Sequence, residues 1–157
     1  MPNEIQPAPP AADDRYAIVV AQWNQSVTGV LCEGAIETLR AAGVPDDQID
    51  VAWVPGSWEI PLVAQRFAEG GLHAAVICLG VVVRGETSHD QHINRGVSLA
   101  ISQISLQFDV PVLFGILTCE SMEQAVDRAG GAHGNKGSEC AAAALHMVGL
   151  VKNLPGA

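Results

Sequence analysis

Short apolar runs alternate along this chain with longer stretches in which apolar residues recur every three or four positions. The short runs are "YAIVVA" (Tyr16–Ala21), "IDVAWV" (Ile49–Val54), "AAVICLGVVV" (Ala74–Val83) and "VPVLFGILT" (Val110–Thr118). Their length and β-branched content predict buried strands. After the first run, Val27, Val30, Leu31, Gly34, Thr38, Leu39 and Ala42 recur at helical spacing, and Gly43 ends that helix. Ile60, Val63, Ala64 and Phe67 mark a helix face over residues 59–68, and Ile93, Val97, Ile101, Ile104 and Phe108 mark a long helix from His89. Two further helices, around Ser121–Ala129 and Ser138–Lys152, complete the pattern.

Strands without polar alternation, separated by amphipathic helices, imply an α/β fold with a parallel sheet covered on both faces. Right-handed crossovers then give a small doubly wound sheet of about four strands. Ligands in such sheets bind beyond the carboxyl ends of the strands. Those ends read "QWN", "PGSWE", "RGETSH" and "TCES", all on one edge.

The first fourteen residues, "MPNEIQPAPPAADD", hold four of the nine prolines and no Lys or Arg. They predict an arm, extended or disordered, and an extended arm can add a strand to a neighbouring subunit. Residues 15–157 read as a single domain. The arm lacks the basic and apolar regions of a signal peptide, and no apolar run approaches the roughly 18 residues of a membrane helix.

A formal net charge of -9 with 8 Lys+Arg argues against nucleic acid and anionic membranes as partners. A small phosphorylated substrate stays open, because a helix N-terminus and one or two cations hold a phosphate. The four cysteines are far apart and form no CxxC pair, which predicts reduced, buried thiols in the cytoplasm.

Each strand end carries candidate chemistry and an ordinary alternative. Trp23 can stack on a planar heterocycle or pack against a helix. In "PGSWE", Gly56 admits close backbone approach, while Ser57 and Glu59 can hold hydroxyls; the alternative is Ser57 as N-cap and Glu59 as a first-turn acid. In "RGETSH", Gly85 and the free amides of a helix start suit a phosphate, and His89 suits proton transfer near neutral pH. The alternative is a helix cap with a solvated histidine. His89 and His92 share the spacing of a metal pair, but no Cys or carboxylate pattern completes a site, so none is predicted. "GGAHGNKGS" (Gly130–Ser138) is a glycine-rich loop without Walker A order, and "QWNQSVTG" lacks a dinucleotide fingerprint.

Together, "QWN", "DVAWVPGSWEIP", "LGVVVRGETSH", "PVLFGILTCESMEQAVDRAGG" and "GNKGSECA" resemble the 6,7-dimethyl-8-ribityllumazine synthase family over nearly the whole chain after Tyr16. The resemblance implies a flavodoxin-like three-layer αβα sandwich. It implies the penultimate step of riboflavin biosynthesis: condensation of 5-amino-6-(D-ribitylamino)uracil with 3,4-dihydroxy-2-butanone 4-phosphate, releasing phosphate and water, with no cofactor and no metal. His89 then matches the proton donor and Trp23 the aromatic that stacks on the pyrimidine. Ser57, Trp58 and Glu59 match the segment that holds the ribityl chain and ring. Val81, Val82 and Val83 match the pocket lining, and Gly85, Glu86 and Thr87 the phosphate turn. Phe114 and Arg128 match residues supplied by the adjacent subunit, with Arg128 on phosphate. Lys136 and Glu139 match a charged pair near the site. Gln22, Trp23, Glu86, Asp90 and Gln91 depart from the usual family residues.

The resemblance also implies a homopentamer with the site at the subunit interface. The short "GGAHGNKG" connection points further, to a 60-mer icosahedral shell, and riboflavin synthase is the partner protein that this pathway suggests. A flavin- or lumazine-binding or shell-forming paralogue without catalysis is the rival reading, and a flavodoxin-like electron carrier is a third.

Overall fold

Tyr16–Ala21 (β1) has every residue buried, and the sheet order explains why. In the computed structural model, which describes residues 1–156, the parallel order is β2-β1-β3-β4, with β2 at Ile49–Val54, β3 at Ala75–Val83 and β4 at Val112–Cys119. β1 and β3 are central and covered on both faces; β2 and β4 are edges. Trp53 and Val51 on β2 are accordingly more than a third exposed, although their run is as apolar as that of β1.

Alternation along each strand splits the core. Tyr16, Ile18, Val20, Ile77 and Leu79 pack on one face, with Leu31 and Leu39 of α1 (Gln25–Ala41) and Ala141, Ala144 and Val148 of α5 (Lys136–Asn153). Ala17, Val19, Val76 and Cys78 point the other way. They meet Ile60 and Ala64 of α2 (Ile60–Glu69) and Val97, Ile101 and Ile104 of α3 (His89–Phe108). The chain therefore forms the three-layer, flavodoxin-like sandwich expected from its pattern.

Several boundaries move for local reasons. β4 begins at Val112, two residues later than predicted, because Asp109 ends α3 in the left-handed conformation (φ 55°). After α4 (Met122–Asp127), the glycine-rich stretch is not a plain loop. Ala129–Gly131 (β5) and Gly134–Asn135 (β6) pair antiparallel, with Gly130 and Gly134 at positive φ. α5 then starts at Lys136 because Asn135 Oδ1 accepts from the N–H groups of Gly137 and Ser138 at 2.8 and 3.1 Å. The small residues of "CAAAAL" divide: Cys140, Ala141 and Ala144 pack within the chain's own core, while Ala142 and Ala143 are exposed.

Residues 6–14 of the arm lie along α5. Ala8 N–H donates to the Gly149 carbonyl at 3.0 Å, Asn153 Nδ2 donates to the Gln6 carbonyl at 2.8 Å, and Lys152 Nζ grips both Asp14 oxygens at 2.8 and 2.6 Å. Gly149 makes this approach possible, since a Cβ there would collide with the Ala8 carbonyl oxygen. Among the described residues, no helix is long and apolar enough to cross a membrane.

Candidate active site

Three strand ends meet at the carboxyl edge of the sheet. At the end of β1, the Gln22 and Trp23 N–H groups donate to the Val54 and Pro55 carbonyls at 2.7 and 3.1 Å, so the first two turns are tied together. Asn24 follows with φ 63° and ψ 45°, a left-handed residue that turns the chain into α1. Asparagine accepts that conformation at lower cost than most side chains. Trp23 is left 75% exposed, facing outward instead of packing against a helix.

Ser57–Glu59 form a single 3₁₀ turn. Ser57 is not an N-cap: its side chain caps nothing, and its buried Oγ has no hydrogen-bond partner among the described residues. It fits against Gly80 of β3, where a Cβ would stand 2.5 Å from it. Glu59 closes the turn through Oε2, which accepts from the Gly56 N–H at 3.0 Å. Trp58 lays its ring edge against Gly96 of α3.

β3 runs out through Val81, Val82 and Val83 into the turn before α3. Cys119 at the end of β4 accepts the Arg84 N–H at 2.8 Å, and Arg84 reaches Glu120 at 3.3 Å. "TCES" therefore braces the turn from outside and lines neither cavity described below. The N–H groups of Gly85, Glu86 and Thr87 meet no acceptor among the described residues, whereas His89 N–H has Thr87 Oγ1 at 3.3 Å. Unused amides before a long helix favour an anion there.

Two cavities open on this edge. The larger, about 450 Å³, is lined by Trp23, Pro55–Glu59, His89, His92 and Ile93. The smaller, about 250 Å³, is lined by Trp23, Asn24, Ser57, Val81–Val83, Gly85, Thr87, His89, Asp90 and Ile93. Trp23, Ser57, His89 and Ile93 belong to both. Neither lining includes a Lys or Arg, so any phosphate held here would rely on amides alone within this chain.

Of the residues predicted from sequence, Trp23, Ser57, Trp58, Glu59, Val81, Val82, Val83, Gly85, Thr87 and His89 come together at the two cavities. Glu86 is in the turn but lines neither. Phe114 lies on β4, 40% exposed, and Arg128 is exposed at the end of α4; both are away from the cavities. Arg128 lies near Cys119, whose thiol burial pushes up and this cation pulls back down. Lys136 and Glu139 form an i,i+3 pair at 3.6 Å at the start of α5 and line neither cavity.

Asn24, Pro55, Asp90, His92 and Ile93 were not anticipated as lining. For His92 and Ile93 a signal existed: three and four residues beyond His89 on a helix, they share its face. Apolar periodicity alone marks Ile93 as core, and the spacing of His92 from His89 alone suggests a metal pair. Gly80 and Gly96, which make room for Ser57 and Trp58, carried no signal that a single sequence displays.

Comparison with known families bears on the same residues. A family model described as 6,7-dimethyl-8-ribityllumazine synthase matches residues 13–152, which include every strand of the parallel sheet and both cavities. A match of that extent over this architecture places the chain in the 6,7-dimethyl-8-ribityllumazine synthase family, the lumazine synthases of riboflavin biosynthesis.

Proposed function

We propose that this protein condenses 5-amino-6-(D-ribitylamino)uracil with 3,4-dihydroxy-2-butanone 4-phosphate to form 6,7-dimethyl-8-ribityllumazine, releasing phosphate and water. The observation that carries the reading is the pair of adjoining cavities with a common wall of Trp23, Ser57, His89 and Ile93. A reaction of two substrates needs two subsites with the acid–base group between them. The larger cavity, floored by Trp23 and the 55–59 turn, suits a planar ring with a polyhydroxyl chain. The smaller one, with Gly85 and Thr87 at its rim, suits a short phosphorylated ketone.

In this reading the ring amine adds to the ketone, and water leaves as an imine forms. Loss of the neighbouring C–H proton expels phosphate and leaves an enol, which tautomerises to a second ketone. The ribityl-bearing nitrogen closes on that carbonyl, and water is lost again. His89, on the shared wall, takes and returns the protons. Holding both substrates in register can supply about 7–11 kcal/mol in favourable cases, which suits a site with few ionisable groups.

The phosphate needs a cation that neither cavity provides. Arg128, whose guanidinium forms no ion pair among the described residues, suits that role from an adjacent copy, and Phe114 is assigned to the same copy's contribution. The working unit is then a homo-oligomer, read as a pentamer or a 60-mer shell of pentamers. Lys136 and Glu139 are assigned to its interface near the site. Four free, buried cysteines suit a cytoplasmic protein.

The test mixes purified protein with both substrates and follows lumazine fluorescence above the uncatalysed rate. His89→Ala should lower turnover, and Arg128→Ala should raise the KM for the butanone phosphate. Co-expressing the two variants should restore activity at about a quarter of the sites, where an intact His89 meets a neighbour's intact Arg128. No restoration would place both residues in one subunit's site. No acceleration by the wild-type oligomer would transfer the assignment to a ligand-binding or shell-forming protein.

A further inference from the structure

Few side-chain groups in the larger cavity can bind a polyhydroxyl chain, and most are already committed. Ser57 Oγ is sealed from solvent. Glu59 offers only acceptors, and its Oε2 is taken by the Gly56 N–H at 3.0 Å. Trp58 turns its ring edge to Gly96, and Trp23 is assigned to the face of the pyrimidine. His89 lies on the wall shared with the smaller cavity, where the protons move. That leaves His92. Its side chain is exposed and enters no hydrogen bond or ion pair among the described residues. His89 and His92 are three residues apart on α3 and share one face of it. His89 borders both cavities, whereas His92 lines only the larger, so His92 meets a part of the ligand that lies away from the reacting atoms.

We propose that His92 is a specificity-determining residue whose imidazole hydrogen-bonds the polyhydroxyl chain of the pyrimidine held in the larger cavity. This rests on the reaction assigned above. There the ring amine reaches the ketone at the shared wall, so the ribityl chain is the part that extends away from it. A neutral imidazole carries one N–H donor and one nitrogen acceptor, and it pairs with a hydroxyl in either direction. A carboxylate only accepts. With Glu59 accepting and His92 donating, the hydroxyls of the chain find both kinds of partner. A pyrimidine without the chain gains nothing from either, so the cavity selects for the chain as well as for the ring.

The test compares two probes that differ only in the chain: the ribitylaminouracil and its methylamino analogue, which keeps the ring and both reacting nitrogens. In His92→Ala the KM for the ribitylaminouracil should rise about three- to tenfold, the loss of one hydrogen bond. Turnover number and the KM for the butanone phosphate should stay within about twofold, because ground state and transition state lose the same contact. The KM for the methylamino analogue should not change. His92→Gln, which keeps a donor and an acceptor, should recover most of the affinity. An unchanged KM for the ribitylaminouracil overturns the proposal. So does an equal loss for the methylamino analogue, which a merely structural role would produce. Wild-type turnover is measured first, and its absence would overturn the assigned reaction. Direct titration of the two pyrimidines into wild type and His92→Ala still reads the role of His92 in that event, and a wild type that does not prefer the ribityl-bearing pyrimidine overturns it.

Discussion

Gly96 lets stability be separated from substrate binding. It lies inside α3, and a Cβ there would stand 2.7 Å from Trp58 Cζ3 and 3.1 Å from Cη2. Either the helix yields or the ring does. Trp58 is 59% exposed, so the ring has solvent to move into, whereas the opposite face of α3 is anchored by Val97 and Ile101. In Gly96→Ala the indole edge must retreat by roughly 0.8 Å to reach an ordinary carbon–carbon separation. The overpacking cost of about 1–3 kcal/mol seen in closed cores is thus largely avoided, while Ala gains about 0.8–1.0 kcal/mol over Gly inside a helix. Net stability should stay within about 1 kcal/mol of wild type, or rise. Trp58 walls the larger cavity, so its displacement should fall on the ribitylaminouracil. A 1 Å misplacement can cost about a hundredfold in rate; for a wall at some remove from the reacting atoms, about tenfold in kcat/KM is expected on the same scale. Urea unfolding and steady-state kinetics with each substrate varied in turn check both halves. An unchanged KM for the ribitylaminouracil in folded protein would show that Trp58 does not bound its site. A stability loss beyond about 2 kcal/mol would show that the helix, not the ring, gives way.

At the opposite edge of the sheet, Asp50 Oδ2 accepts from buried His73 Nε2 at 2.6 Å and from Arg15 Nη2 at 2.9 Å, which hold its carboxyl below the usual range. A carboxyl depressed on folding adds stability above its unfolded pKa of about 3.9 and loses it as pH falls through the folded value. Asp50→Asn should therefore lower the urea midpoint near neutral pH, and the gap to wild type should narrow under acid; a constant gap would mean that the residue acts by packing alone. Burial raises the Cys32 thiol to about 11, with Glu33 adding to the effect, and burial raises Cys78 further. All four cysteines are buried and free, so iodoacetamide near neutral pH should label none of them in native protein and all four in urea; rapid native labelling of Cys32 or Cys78 would contradict their burial.

The order and type of the main elements were legible because they rest on local periodicity. The buried run at Tyr16–Ala21, the stripe from Ile93 to Phe108 and the glycine stop at Gly43 each announce themselves within one or two turns of chain. Boundaries failed where one residue's backbone state decides them, as with Asp109 ending α3 and Asn135 capping α5. The β5–β6 pair was missed because a run dominated by glycine has no apolar alternation to reveal a strand. Asp90 and His92 were noticed in the sequence but not as lining.

By itself the sequence determined the α/β class, the four strands, the turns at their ends and, through its ordered motifs, the family. Only the tertiary structure decided that β1 lies between β2 and β3, which brings Trp23, Ser57 and His89 to a common wall. It also decided that "TCES" and Arg128 lie outside the chain's own cavities, and that Gly80 and Gly96 leave room for Ser57 and Trp58. The reason is physical. Periodicity reports which side of an element is buried, a property of neighbours in sequence. A cavity is the space left among side chains far apart in the chain, set by strand pairing and by contacts that no local pattern encodes.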